Sequence, residues 1–174
     1  MAMDQEGWIR TRAELDAWKD ASVEDLVRHL MERYHREARA GMAELEALAE
    51  EAALFEGWRT PLLLAIRDEV ALFCTELRLH LRDEESTLFP AVLARAQGRE
   101  VDLAHEIKEP LELFEDEHAA AEGLLTRIRT LTDGFEAPPE ASGRHRALCA
   151  ACQRLAASLV AHIYLENEIL FARL

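Results

Sequence analysis

The chain has 174 residues, 49% of them hydrophobic, and its 34 acidic side chains against 20 basic ones leave a net charge of −14. That length allows one domain with a sizeable core, and that charge argues against nucleic acid and anionic membrane surfaces, which need basic patches. Glycine (7) and proline (5) are scarce in a background of Ala, Leu, Glu and Arg, a helix-forming composition with little β-branched content that predicts an all-α fold. No run of about 18 apolar residues marks a membrane span, and the opening Met-Ala-Met-Asp-Gln-Glu-Gly-Trp lacks the basic-then-apolar pattern of a leader. The expected location is the cytoplasm, with neither nucleic acid nor membrane as a partner.

Residues 1–20, with Trp8 and Trp18 among mixed charges, are expected to form a short N-terminal arm or helix, and residues 21–174 the main domain. Ser22 followed by Asp25 is a helix start of the capping-box type. Leu26, Leu30, Tyr34, Met42, Leu45 and Leu48 then carry a first long helix to about Ala53. Gly57 and Thr60-Pro61 predict a turn, with Thr60 as cap and Pro61 at the first position of a second helix. That helix reads to about Ala96 and is stopped by Gly98. Residues 99–109 form a connector, and Pro110 opens a third helix that reads to about Thr132, ahead of Gly134. Pro138-Pro139 closes the next loop and a fourth helix fills the remainder. Cys149 and Cys152 are spaced C-x-x-C, but inside a helical Ala/Leu pattern; with Cys74 they read as small buried apolar residues. Short loops force antiparallel neighbours, so the expected architecture is an up-down-up-down four-helix bundle.

Two stretches are near copies: His80-Leu-Arg-Asp-Glu84-Glu-Ser-Thr-Leu88-Phe89 and His162-Ile-Tyr-Leu-Glu166-Asn-Glu-Ile-Leu170-Phe171. Each places a histidine four residues ahead of a carboxylate, on one helix face about a turn apart, where a neutral imidazole and a carboxylate reach the same metal ion. Glu32-Arg-Tyr-His35 on the first helix is echoed by Glu115-Asp-Glu-His118 on the third, so the first two helices look like the last two. His35 and His80 flank Gly57 at nearly equal sequence distance, and His118 and His162 flank Pro138-Pro139 likewise. At about 1.5 Å of rise per residue, all four histidines are expected at one height, with Glu84 and Glu166 a turn further along. This set suits iron, zinc or manganese; two bridging carboxylates with nitrogen-rich terminal ligands favour a di-iron centre. His29, His105 and His145 fall off this register and read as surface or structural residues. Glu32, Glu76, Glu115 and Glu117 lie within about a turn of a candidate histidine, where a carboxylate can orient an imidazole through its other nitrogen or line a proton path.

The constellation resembles the hemerythrin-like (HHE, cation-binding) domains, and among them the di-iron proteins implicated in repair of iron centres after nitrosative and oxidative stress. The matching stretches are Glu32-Arg-Tyr-His35-Arg, His80-Leu-Arg-Asp-Glu84-Glu85 with Leu88-Phe89-Pro90, Glu117-His118, and His162-Ile-Tyr-Leu-Glu166-Asn167 with Leu170-Phe171. The resemblance implies a hemerythrin-like bundle in which His35, His80, His118 and His162 are terminal ligands of two non-haem iron ions. Glu84 and Glu166 would bridge the irons together with an oxo or hydroxo group, and Glu76 and Glu117 would match carboxylates of an access channel. Such repair proteins usually add a small N-terminal domain with a cysteine motif, and residues 1–20 here contain no cysteine.

The function expected first is therefore a di-iron protein that meets nitric oxide, peroxide or oxygen, or donates iron to damaged iron–sulfur clients; whether it turns over as an enzyme is left open. A ferroxidase or iron-storage bundle is the alternative, since Glu32-x-x-His35 and Glu115-x-x-His118 superficially match the ferritin-type motif; that motif, however, calls for lone glutamates where this chain offers His-x-x-x-Glu. A metal-dependent sensor or adaptor module is a third class.

Overall fold

A computed structural model describes residues 12–101 and 111–174, apart from the side chain of residue 112. Trp8, the rest of residues 1–11, most of the 99–109 connector with His105, and Pro110 lie outside the described residues. Every regular element among the described residues is helical, as the composition predicts, and together they make an all-α bundle.

A short segment, α1, covers residues 12–20 and ends in the 3-10 turn Ala17–Asp20. Helix α2 (residues 23–56) starts where the capping signal places it: the Ser22 hydroxyl accepts from the Asp25 backbone N–H at 3.0 Å, satisfying one of the donors a helix start leaves orphaned. Helix α3 spans residues 62–96 and ends ahead of Gly98, whose φ of 75° suits glycine. Helix α4 is Leu111–Leu131, followed by Gly134 at φ 83°. Helix α5 is Gly143–Arg173; the Ser142 hydroxyl caps it by accepting from the His145 N–H at 3.0 Å. Gly57 is needed at the turn after α2, because a Cβ there would run into the Ala53 carbonyl oxygen and come within 2.8 Å of Leu64.

Three of these helices widen into π-helical turns: Leu30–His35 in α2, Glu84–Leu88 in α3 and Leu165–Leu170 in α5. Sequence periodicity reads these stretches as ordinary α-helix. For the turn in α3 the cause is visible. Pro90 has no N–H to donate and crowds the carbonyl one turn back, while the Thr87 hydroxyl takes the Asp83 carbonyl at 2.5 Å. A wider turn relieves both. Such turns concentrate at functional positions.

The chain divides into two compact units. Of the described residues, the first comprises 12–36, 80–101, 111–118 and 158–174. Its apolar cluster gathers Leu26, Leu30, Leu88, Phe89, Phe114, Leu165 and Leu170, all buried, with Trp18 and Tyr164 packed against it. The α1 segment is tied to this unit by polar contacts: Tyr164 donates to Asp16 at 2.5 Å, and the Arg173 guanidinium donates to the carbonyls of Trp18, Lys19 and Ala21. The second unit comprises residues 37–79 and 119–157, with Met42, Leu45, Ile66, Phe73, Ile128, Leu148 and Leu155 buried. Leu155 would meet a Cβ at Gly41 at 3.1 Å, so the small residue admits that side chain. Cys74, Cys149 and Cys152 are buried free thiols here, as expected. Burial pushes Cys74 and Cys152 up to about 12, which leaves them inert at neutral pH.

The composition scan for membrane spans needs one correction. Helix α5 is long and apolar enough to cross a membrane, with a mean hydropathy of 1.4 over its most apolar window. An uninterrupted-run criterion passes over it because Gln153-Arg154 and His162 break the apolar stretch. More than half of that window (56%) is buried inside the protein, which is how a core helix passes such a test.

Removing the Ser22 hydroxyl should cost about 1 kcal/mol, and Leu45→Ala, at a fully buried position, about 2–5 kcal/mol. Urea unfolding followed by circular dichroism checks this order; a costlier cap than core substitution would contradict the packing described.

Candidate metal centre

The six residues singled out by spacing converge in the first unit. His35 closes the π turn of α2, Glu84 opens that of α3, and Glu166 lies in that of α5. His80, His118 and His162 come from the α-helical stretches of α3, α4 and α5. Glu84 and Glu166 are fully buried (0% exposed), and the four histidines are buried around them. Every imidazole turns Nε2 towards a carboxylate. His80 Nε2 lies 3.2 Å from Glu84 Oε1, and His162 Nε2 2.8 Å from Glu166 Oε1. His35 Nε2 is 3.5 Å from Glu84 Oε2 and 3.7 Å from Glu166 Oε1, while His118 Nε2 is 3.7 Å from Glu84 Oε1 and 3.2 Å from Glu166 Oε2.

The donor atoms fall into two sets, His35-Glu84-His162-Glu166 and His80-Glu84-His118-Glu166, each within 4.8 Å. Both carboxylates belong to both sets. Sealed from solvent, Nε2 of His35, His80 and His118, both oxygens of Glu84, and Oε2 of Glu166 form no hydrogen bond. Buried polar atoms are ordinarily paired, and two ionised carboxylates in one dry pocket repel each other. A cluster of imidazole nitrogen and carboxylate oxygen, aimed inward and unsatisfied, is what a divalent or trivalent cation completes.

Without a metal, protons do the balancing. Burial pulls the His118 imidazole down, but the neighbouring Glu166 and Glu84 carboxylates outweigh it and carry it up to about 10. At His80 burial is likewise outweighed by Glu84, which lifts it to about 8; His35 rises for the same reason through Glu166 and Glu84. Burial and the charge of Glu166 both push Glu84 up, yet His80 and His118 hold it below the ordinary carboxylate range. Glu166, pushed up by burial, is held well below that range by His162, His118 and His35.

Three of the four outward nitrogens are held as well. His35 Nδ1 donates to Glu85, His80 Nδ1 to Glu117 and His118 Nδ1 to the Asn167 side-chain carbonyl, each at 2.8 Å. These bonds fix the tautomer that presents Nε2 inward. Glu117 was expected in this role. Glu85 and Asn167 were not, although the repeat carried the signal: each directly follows a buried carboxylate, Glu84 or Glu166. Glu76 is exposed on α3, and Glu32 and Glu115 are exposed on α2 and α4. His29 stands apart from the donor sets, stacked on Trp18 at 4.0 Å and edge-on to Tyr34 at 5.4 Å. His145 is buried in the second unit, a structural residue.

These shifts set a pH dependence for the metal-free protein. His80 and His118 have folded pKa values of about 8 and 10 against an ordinary 6.5, so their stabilisation is complete below 6.5 and lost as pH rises through 8 to 10. That of Glu84 and Glu166, whose pKa values are lowered, is present above 4.5 and lost as pH falls. Chelator-stripped protein should have its highest Tm between these limits and fall on the alkaline side. A Tm that is flat from pH 6.5 to 10 would contradict the protonated cluster.

Comparison with known proteins gives this geometry a context. The model of the hemerythrin HHE cation-binding domain matches residues 26–174. The iron-sulfur cluster repair protein DnrN of Neisseria gonorrhoeae is 33% identical over 165 residues, covering 92% of this chain and 96% of that protein. The iron-sulfur cluster repair protein YtfE of Edwardsiella ictaluri is 31% identical over 172 residues (92% of this chain, 73% of that one), and its counterpart from Musicola paradisiaca is 30% identical over 168 residues (92% and 72%). With the family match running through both copies of the His-x-x-x-Glu motif, the chain belongs to the hemerythrin HHE cation-binding domain family.

Proposed function

We propose that this chain is a di-iron protein of the iron–sulfur repair type, acting in the cytoplasm under nitrosative or oxidative stress. In this reading His35, His80, His118 and His162 are terminal ligands and Glu84 and Glu166 bridge. The observation that carries it is the sharing of both buried carboxylates by two otherwise separate pairs of histidines. The six donors divide into two four-residue sets rather than surrounding a single point. Redox-active iron with an open coordination position would supply reactivity towards nitric oxide, peroxide or oxygen. Iron–sulfur clients are the proposed partners, by analogy with the relatives named for such repair.

The protein's own part is to bind, orient and shield. Glu85, Glu117 and Asn167 hold three imidazoles in the tautomer that offers Nε2. Phe89 lies against His35 at 5.3 Å and Phe171 stacks on His118 at 6.1 Å, so apolar rings cover the imidazole faces and limit water. In the metal-free state His80 and His118 hold protons that a cation would displace, which links uptake to proton release. Delivery of iron to a client would reverse this exchange.

A ferritin-type ferroxidase site would need Glu32 and Glu115 beside their histidines. Both are exposed, while His35 and His118 are buried, so storage is the weaker reading.

Iron content of protein purified under anaerobic conditions tests the choice. About two irons per chain are expected, with most lost in His80→Ala and Glu166→Ala and full content kept in Glu32→Ala and Glu115→Ala. Equal loss in all four would sink the ligand assignment; loss confined to the last two would revive the ferritin-type site.

A further inference from the structure

The repeat pairs His35 with His118, His80 with His162, Glu84 with Glu166, and Glu85 with Asn167. Its hydrogen bonds repeat as well: Glu85 accepts from His35 as Asn167 accepts from His118. One bond breaks the symmetry. Glu117, the residue before His118, accepts from His80. The residue before His35 is Tyr34, so the acceptor that should serve His162 is a tyrosine. Its ring lies nearly parallel to the His162 ring, at 6.0 Å and 18°, and a ring against an imidazole face offers nothing to the in-plane N–H. His162 Nδ1 is buried, and among the described residues it has no hydrogen-bond partner.

We propose that the two metal positions are unequal, the one between His35 and His162 binding more weakly, and that Tyr34 is the positioning residue that makes it so. The inference rests on the two-metal reading above. Outer partners of a ligating histidine are worth about 10- to 100-fold in metal affinity, because they fix ring orientation and raise the basicity of the ligating nitrogen. The position between His80 and His118 has both partners, Glu117 and Asn167; the other has Glu85 alone. The weaker position is then the one that fills last and gives up iron first, while the tighter ion stays behind and keeps the helices in register. An unequal pair can donate one ion without unfolding the site.

The test is an anaerobic titration of the metal-free full-length chain with ferrous iron, in competition with a chromophoric chelator. Two binding steps about 10- to 100-fold apart are expected. His162→Ala should abolish the weaker step and keep the tighter one; His80→Ala should remove the tighter one. Tyr34→Glu restores the acceptor the repeat lacks and should tighten the weaker step about 10-fold or more, leaving the other unchanged. Should Tyr34→Glu fail to fold by circular dichroism, Glu117→Ala decides from the other side. Glu117 is 37% exposed, and its loss should weaken the tighter step until the two converge. One step of two equal ions in the unaltered protein, or loss of the tighter step in His162→Ala, overturns the proposal. Saturation below two ions per chain overturns the two-metal reading itself, so the two failures are distinct.

Discussion

Two ionised carboxylates, Glu84 and Glu166, stand fully buried beneath four imidazoles, and the rest of the first unit is arranged to make that tolerable. A buried charge persists only where something opposite faces it. Here the opposite charge comes from protons on His80 and His118 when metal is absent, and in the proposed working state from two cations. The histidines are in turn anchored from outside by Glu85, Glu117 and Asn167. Charge therefore alternates outwards in layers: carboxylate, imidazole, then a polar partner nearer solvent. The excess of acidic residues in the composition is used partly in this way, in the innermost and outermost layers together.

The helices answer the same demand. A straight α-helix places positions i and i+4 on one face but leaves the neighbouring donors of other helices to find their own heights. The wider π turns fall at His35, Glu84 and Glu166, where side chains from separate helices must meet within hydrogen-bonding and ligation distances. In α3 the widened turn coincides with Pro90, which lacks an N–H, and with the Thr87 hydroxyl donating to the Asp83 carbonyl.

The internal repeat gives a way to separate what is shared from what is particular. Its two halves agree on the inward donors and on the position whose side chain accepts from His35 or His118, Glu85 in one half and Asn167 in the other. They disagree at Tyr34 against Glu117, and that one difference leaves His162 without the support its counterpart His80 enjoys.

Much of this was legible in the chain alone. Composition settled the helical class, because Ala, Leu, Glu and Arg with few glycines and prolines favour little else. Ser22, Gly57, Gly98 and Gly134 placed most helix ends, since capping and positive-φ positions are local chemistry. The six residues that converge were singled out by spacing: His80, Glu84, His162 and Glu166 by the repeated His-x-x-x-Glu, and His35 and His118 by the Glu-x-x-His echo and their equal distances from the turns. Three things were not local and so were hidden. The π turns change the register of a helix without changing its apolar pattern. Glu85 and Asn167 had no role of their own in the sequence until α2 and α4 brought His35 and His118 against them. That His162 Nδ1 lacks a partner among the described residues, with the Tyr34 ring beside its imidazole, is a matter of packing between helices. Sequence determined which residues are present and on which helix faces; the packing of helices decided which nitrogen of each imidazole looks inward, because that choice is made by hydrogen bonds between residues far apart in the chain.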